Sequence, residues 1–175
     1  NGKVFVDSTE YDISFVLPPD VLKLWYGSGT YNYIKCITYA NGYWVVGGQY
    51  YYRSSRYPAR IAWATSPDGT WNIVNILGGT SIHTINCITY ANGYWVVAGQ
   101  CYNSSNCCAQ IAYTTSPDAT WVTTNVWSGS NAQDGIMCID DINGYWVAGG
   151  RIRVADYVYG QIAYAESLTE LGQTS

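Results

Sequence analysis

Arginines, tyrosines and carboxylates are the side chains with which this chain could do chemistry, and their spacing separates recognition from catalysis. Residues 50–60 read YYYRSSRYPAR. Tyr50, Tyr51, Arg53, Arg56 and Tyr57 there set flat amphipathic rings beside guanidinium forks and hydroxyls, the mixture recognition loops use. The counterparts CYNSSNCC from Cys101 and IRVADYVYG from Ile152 differ strongly while their flanks barely change. Variable loops on a constant frame are where binding concentrates. The tyrosines either present a ligand surface or cover a neighbouring part of the protein. Another set, WYGSGTYNY from Trp25, LGGTSIHT from Leu77 and WSGSNAQDG from Trp127, places Trp25, Tyr31 and Trp127 in hydroxyl-rich loops. These are expected to form a second rim. Aromatic faces with fixed polar groups hold sugars, so either rim suits a glycan.

Catalytic groupings are harder to assemble. His83 is the only histidine and is expected on an exposed loop, which excludes a His-based metal site or a Ser-His-Asp triad. Asp134 with the Asp140–Asp141 pair either offers oxygen ligands to Ca²⁺ or supplies solvated loop carboxylates, and the second reading is preferred. Cys107–Cys108 has no CxxC spacing, so zinc is not expected. A glycosidase needs two carboxylates facing across a pocket. Glu166 and Glu170 fall late in the chain and Glu10 in a short polar turn, and no spacing pairs them. The expectation is no catalytic residue, no metal, no cofactor and no enzymatic activity.

These residues hang on a repeat. CITYANGYWVV, starting at Cys36, recurs unchanged from Cys87, and CIDDINGYWVA follows from Cys138, a step of 51 residues each time (87 − 36 and 138 − 87). A repeat of this length built of short apolar runs and turns indicates a solenoid, propeller or array. Asn-Gly between two apolar-aromatic runs signals a two-residue hairpin whose central residues need positive φ. Each copy reads as four strands, A to D. In the first, A covers 34–39, B 43–49, C 60–65 and D 71–77, with a Ser-Pro-Asp-Gly turn between C and D. The interval Ile13 to Asp20 matches Ile61 to Asp68 and Ile111 to Asp118, so the opening segment reads BCD. The third copy fades before a D strand. The chain is thus one repeat domain over 1–175: a partial blade 1–30, blades 34–78 and 85–128, and a partial blade 136–175. Four antiparallel strands per repeat is propeller-blade arithmetic.

SPDGTW at Ser66–Trp71 and SPDATW at Ser116–Trp121 resemble the Asp-box, or BNR repeat, of sialidase-like β-propellers. The turn is shorter than the family pattern, and Ala119 stands where Gly is usual. The resemblance implies structural roles: Asp68 and Asp118 tie down the turn with Ser66 and Ser116, and Trp71 and Trp121 pack beneath it. It also implies a test for sialidase chemistry, three arginines spread over successive blades. Arg53, Arg56 and Arg60 instead crowd one loop, with Arg151 and Arg153 in another. Such non-catalytic propellers serve as adhesion and assembly modules in secreted bacterial, phage-tail and virion proteins. The function expected is a non-enzymatic binding module that meets a glycan or surface protein outside the cell or on a virion. The alternatives are a self-assembling structural subunit, or a fragment of a sialidase-like glycosidase.

Bulk properties agree with an all-β class. There are 18 Tyr, 8 Trp and 18 Gly, and charged residues make up 11%, a composition suited to pleated, half-buried surfaces. A net charge of −4 without a basic block argues against nucleic acid. No apolar run reaches the length of a membrane helix, so membrane insertion is not expected. Cys36, Cys87 and Cys138 are expected in the core, while a Cys101–Cys107 or Cys101–Cys108 bridge is within reach. Asn103-Ser104-Ser105 is a glycosylation acceptor pattern, meaningful only in a secreted eukaryotic protein. The only Met is Met137, so Asn1 is not a translation start: the chain is processed or part of something longer. Three and a half blades leave three solutions: a thinned four-bladed ring, a larger ring closed by a dimer, or an arc of a longer chain. An open arc exposes strand edges, so self-association or a missing remainder is expected.

Overall fold

Three antiparallel sheets stack face to face, and the N-terminal residues form a separate two-stranded hairpin. The computed structural model describes residues 2–6, 9–13, 24, 32–49, 59–77, 83–103, 106–129 and 134–172. The hairpin pairs β1 (Gly2–Val6) with β2 (Thr9–Ile13). Blade one is β3 (Tyr33–Ala40), β4 (Tyr43–Gln49), β5 (Ala59–Ala64) and β6 (Asn72–Leu77), in that spatial order. Blade two is β7 (His83–Ala91), β8 (Tyr94–Asn103), β9 (Asn106–Thr114) and β10 (Val122–Gly129). Blade three has three strands, β11 (Gly135–Ile142), β12 (Tyr145–Val154) and β13 (Tyr157–Ala165), and then a helical turn, α1 (Leu168–Leu171). The expected all-β class and four-stranded repeat hold.

The Asn-Gly hairpins form as their chemistry requires. Asn41, Asn92 and Asn143 lie at φ 46, 49 and 55°, and Gly42, Gly93 and Gly144 at 80, 80 and 84°. Both central residues therefore occupy the left-handed region, which fits the twist of the flanking strands. Each inner strand then carries one bulge at the same place, between Ile34 and Cys36, Ile85 and Cys87, and Ile136 and Cys138. The unpaired extra residues are Lys35, Asn86 and Met137.

Strand alternation gives every blade two apolar faces. On blade one, Val45 and Ile61 face forward and meet Ile85 and Ile88 of β7, with all four at most 9% exposed. On blade two, Val96, Ala98 and Ile111 meet Ile136 and Ile139 of β11. Burying each such isoleucine contributes about 1.5–3 kcal/mol. Close approach sets the residue size at the seam. A Cβ added to Gly47 would lie 2.7 Å from Ile85 Cγ2 and 3.0 Å from Ile88 Cδ1. α1 takes the place of a fourth strand in blade three and crosses to blade two. Leu168 and Leu171 join the second core, and Ser167 Oγ accepts the Glu170 N–H at 3.1 Å to cap the turn.

The Ser-Pro-Asp turns are structural ties. Ser66 Oγ donates to Asp68 Oδ1, Trp71 Nε1 donates to Pro67 O at 3.2 Å, and Gly69 N to Ser66 O at 3.1 Å. The Ser116 hydroxyl donates likewise to Asp118, and Trp121 Nε1 reaches Pro117 O at 3.3 Å. The Ser66 hydroxyl is the main reason the Asp68 carboxyl sits below the usual range.

Several expectations need correcting. The strand ends that carry the loops between second and third strands and those between blades lie on one rim, because β3 begins opposite the end of β4 and β4 ends opposite the start of β5 (Tyr33↔Gln49, Gln49↔Ala59). Trp127 lies inside β10, 3% exposed, in the second core rather than on a loop. His83 opens β7 and is fully buried. Cys101 and Cys108 stand directly opposite each other across β8 and β9 without a disulfide between them, and Cys101 Sγ lies 4.0 Å from His83 Nε2. Cys138 is exposed rather than a core residue.

Candidate functional site

The start of each inner strand supplies one polar side chain to the same rim. Asn32, His83 and Asp134 are separated by the repeat step, each preceding or opening β3, β7 or β11. His83 is 0% and Asp134 1% exposed, and Asn32 is half-buried. Asp134 is the one buried carboxylate among the described residues. Its Oδ1 accepts the Arg153 backbone N–H at 2.5 Å, which fixes the carboxylate against the end of β12. His83 Nδ1 is buried with no hydrogen-bond partner among the described residues. Burial pushes the imidazole pKa down, so it stays neutral at pH 7 and keeps an acceptor and a donor nitrogen.

Around these three lie longer polar groups. Gln100 packs against the first residue of β11. A Cβ on Gly135 would lie 2.8 Å from Gln100 Cβ and 3.2 Å from its Oε1, so only glycine lets the two blades approach this closely. Lys35 of blade one and Arg151 of blade three come within electrostatic range. Burial is the largest cause of the lowered Lys35 pKa; the neighbouring Cys36 opposes it, and the Arg151 charge lowers it further. The β12–β13 hairpin ends on this rim in a turn with Ala155 at φ 54°. Beyond it Tyr157 and Tyr159 stand 69% and 51% exposed, with ring centroids 6.4 Å apart. The arrangement offers cationic and amide donors, a fixed carboxylate, a neutral imidazole and exposed aromatic faces. That set matches a hydroxyl-rich ligand better than a charged polymer.

The residues singled out from sequence fare unevenly. Tyr50, Tyr51, Arg53, Arg56, Tyr57, Trp25 and Tyr31 lie outside the described residues, although their segments attach to this rim through Gln49, Ala59 and Asn32. Ser66, Asp68, Trp71, Ser116, Asp118 and Trp121 lie at the opposite end of the sheets, in the two turns already described. Asp134 cannot share an ion with Asp140 and Asp141, because six and seven residue steps along β11 separate them by about 20 Å. The latter pair also has partners: Thr89 Oγ1 donates to Asp140 at 2.9 Å, and Asn92 Nδ2 to Asp141 at 2.8 Å. Among the described residues no three His, Cys, Asp or Glu side chains gather for a metal. The signal that would have grouped His83 and Asp134 with Asn32 was their common step of 51 residues, hidden by their different side-chain types.

No family model and no curated protein matches the chain. Solved structures do match in fold. A GH43_12 protein retrieved from capybara gut metagenome aligns with a TM-score of 0.53 at 13% identity, over 78% of this chain and 28% of that one. The chain has a β-propeller fold. A xylan β-1,4-xylosidase from Bacillus halodurans aligns at 0.48 and 12% identity over 76% of this chain and 28% of that one. A thermostable family-43 glycoside hydrolase aligns at 0.49 and 10% identity over 75% of this chain and 50% of that one. The present chain therefore spans about a quarter to a half of the propellers it matches. At these identities the likeness is one of fold. It still corrects the expectation that the chain is not an enzyme, because the GH43_12 protein shares the fold. That expectation rested on a missing sialidase-type arginine set, which a neutral sugar does not call for, and on the lack of two carboxylates spaced to face each other. The neighbours bring no support for the Asp-box family as such.

Proposed function

We propose that the chain is a section of a glycosidase-type β-propeller and that it holds a neutral glycan at the rim where β3, β7 and β11 begin. One observation carries the reading: three blades deliver Asn32, His83 and Asp134 to equivalent positions, buried enough to be fixed, with the His83 Nδ1 unpartnered. The shared fold with a GH43 protein supports a carbohydrate ligand. Sugar hydroxyls supply the donors that His83 and Asp134 can accept, and the Tyr157 and Tyr159 rings give a sugar an apolar face to lie on. Asp134 is suited to one of the two carboxyl roles of glycoside hydrolysis. The second carboxyl has no counterpart among the described rim residues and would come from elsewhere in the ring.

Titration with xylan- and arabinan-derived oligosaccharides, followed by calorimetry, tests the reading, with nitrophenyl glycosides read in parallel for hydrolysis. Asp134→Asn keeps the acceptor for Arg153 N–H while removing the charge. It should weaken binding about tenfold, about 1.4 kcal/mol. His83→Phe should do the same without unfolding the blade. Absence of binding across the panel, or full binding by both variants, would overturn the proposal.

A further inference from the structure

Among the described residues the blade contact is made twice, and each half of it is also present once without a partner. Between blades one and two, Ile85 and Ile88 of β7 sit over Gly47 in a cluster with Val45 and Ile61. Between blades two and three, Ile136 and Ile139 of β11 sit against Ala98, Val96 and Ile111. Blade three carries the same receiving face: Val147, Gly149, Ile162 and Tyr164 stand where Val45, Gly47, Ile61 and Trp63 stand in blade one.

That face is open. Ile61 and Ile111 are 0% exposed, but Ile162 is 72% and Tyr164 67% exposed. A Cβ on Gly149 would meet only Cys138 Sγ of its own blade, where Gly47 meets two isoleucines of the next. A groove of about 490 Å³ runs beside Gly149 between Met137, Cys138 and Ile162. Such a contiguous apolar patch marks an interaction surface. At the other end of the stack, β3 carries the inserting half. Ile34 and Ile37, the equivalents of Ile85 and Ile88, are 50% and 59% exposed.

We propose that the open face of blade three receives β3 of a second copy of this chain, with Ile34 and Ile37 of one protomer seated over Gly149 and Ile162 of its partner. The two internal contacts are the template, so the occupant is argued from continuity with interfaces the chain already builds. The contact joins two different surfaces. It therefore leaves a free half at each end, and copies either close into a ring or continue as a filament. This inference does not depend on the glycan reading, since the face lies along the stacking direction and not at the rim.

Light scattering and sedimentation on the full chain, from micromolar to millimolar concentration, provide the test. The average mass should rise above that of one chain. Ile34→Asp and Ile162→Asp each remove one half of the contact at an exposed site, so both should keep the native circular dichroism and melt while remaining monomeric. A one-to-one mixture of the two variants should yield a dimer and nothing larger, because only one competent contact remains. A wild-type chain that stays monomeric throughout would overturn the proposal. So would association that survives in either single variant, which would mean a like-with-like contact, or a mixture that fails to pair.

Discussion

Lys35 Nζ donates to Asn86 Oδ1 across the first blade boundary at 3.1 Å, and Asn86 Nδ2 donates onward to Ile136 O at 2.7 Å. The two residues hold the same bulged position in successive inner strands, so the bulge has turned a strand defect into a tie between blades. A parallel tie follows one turn of the pleat away, where Thr38 Oγ1 donates to Ile88 O at 3.1 Å.

The tie predicts unequal substitutions. Asn86→Ala strips a donor from Ile136 O and an acceptor from Lys35, and should cost about 1–2 kcal/mol in urea unfolding. Lys35→Met should cost less, because it also removes a cation that burial and Arg151 disfavour. A larger loss in the lysine variant would contradict the ladder.

Equivalent glycines should respond differently. Gly47→Ala forces the side chain against Ile85 and Ile88, both buried, and should destabilise by about 1–3 kcal/mol. Within its own chain Gly149→Ala presses only on the Cys138 thiol, which is exposed and can rotate, so in dilute, dissociated protein its melt should stay close to the parent. Equal losses at the two sites would show that blade three is covered after all.

Acid should find His83. Its folded pKa lies below the ordinary 6.5 because the imidazole is buried. The unfolded chain therefore takes the proton first as pH falls through 6.5, and stability declines below that point by at most about 1.4 kcal/mol per pH unit. His83→Phe should flatten this limb of the urea midpoint against pH. An unchanged slope between pH 6.5 and 5 would mean the imidazole is solvated.

Thiol labelling should separate the repeated cysteines. Burial raises the Cys36 and Cys87 pKa to about 12, so only about one Cys87 in ten thousand is thiolate at pH 8. Cys138, exposed on the open face of the single chain, should react first with maleimide in dilute native protein, as read by mass spectrometry of peptides. Uniform labelling of the three would refute the packing of the first two.

Much of the frame was legible because turn chemistry and period agreed: Asn-Gly with a constant step set β4 at Tyr43–Gln49, where the ladder has it. Burial was less legible. LGGTSIHT reads as a polar loop, yet its last two residues pair with Cys101 and Gln100 and so belong to β7. Trp127 sits among Ser and Gly, but β10 runs on to Gly129 past a register shift, which turns the indole inward. The β12–β13 hairpin tip has no Asn-Gly, and its ladder closes through Ala155 instead. Ile162 and Ile61 have matching surroundings in sequence; only the presence or absence of a following blade distinguishes them, and no local pattern encodes that. His83 and Asp134 stand out in the sequence singly, but their shared placement with Asn32 does not, because the three repeat a location and not a residue type.

A chain whose every unit carries both a seat and the piece that fills it can lengthen by gene duplication without evolving any new surface. Adding or deleting one 51-residue unit leaves every remaining seam as it was. The module count is thus free to drift under selection for ring size, while the residues at the seams stay under a single unchanging constraint.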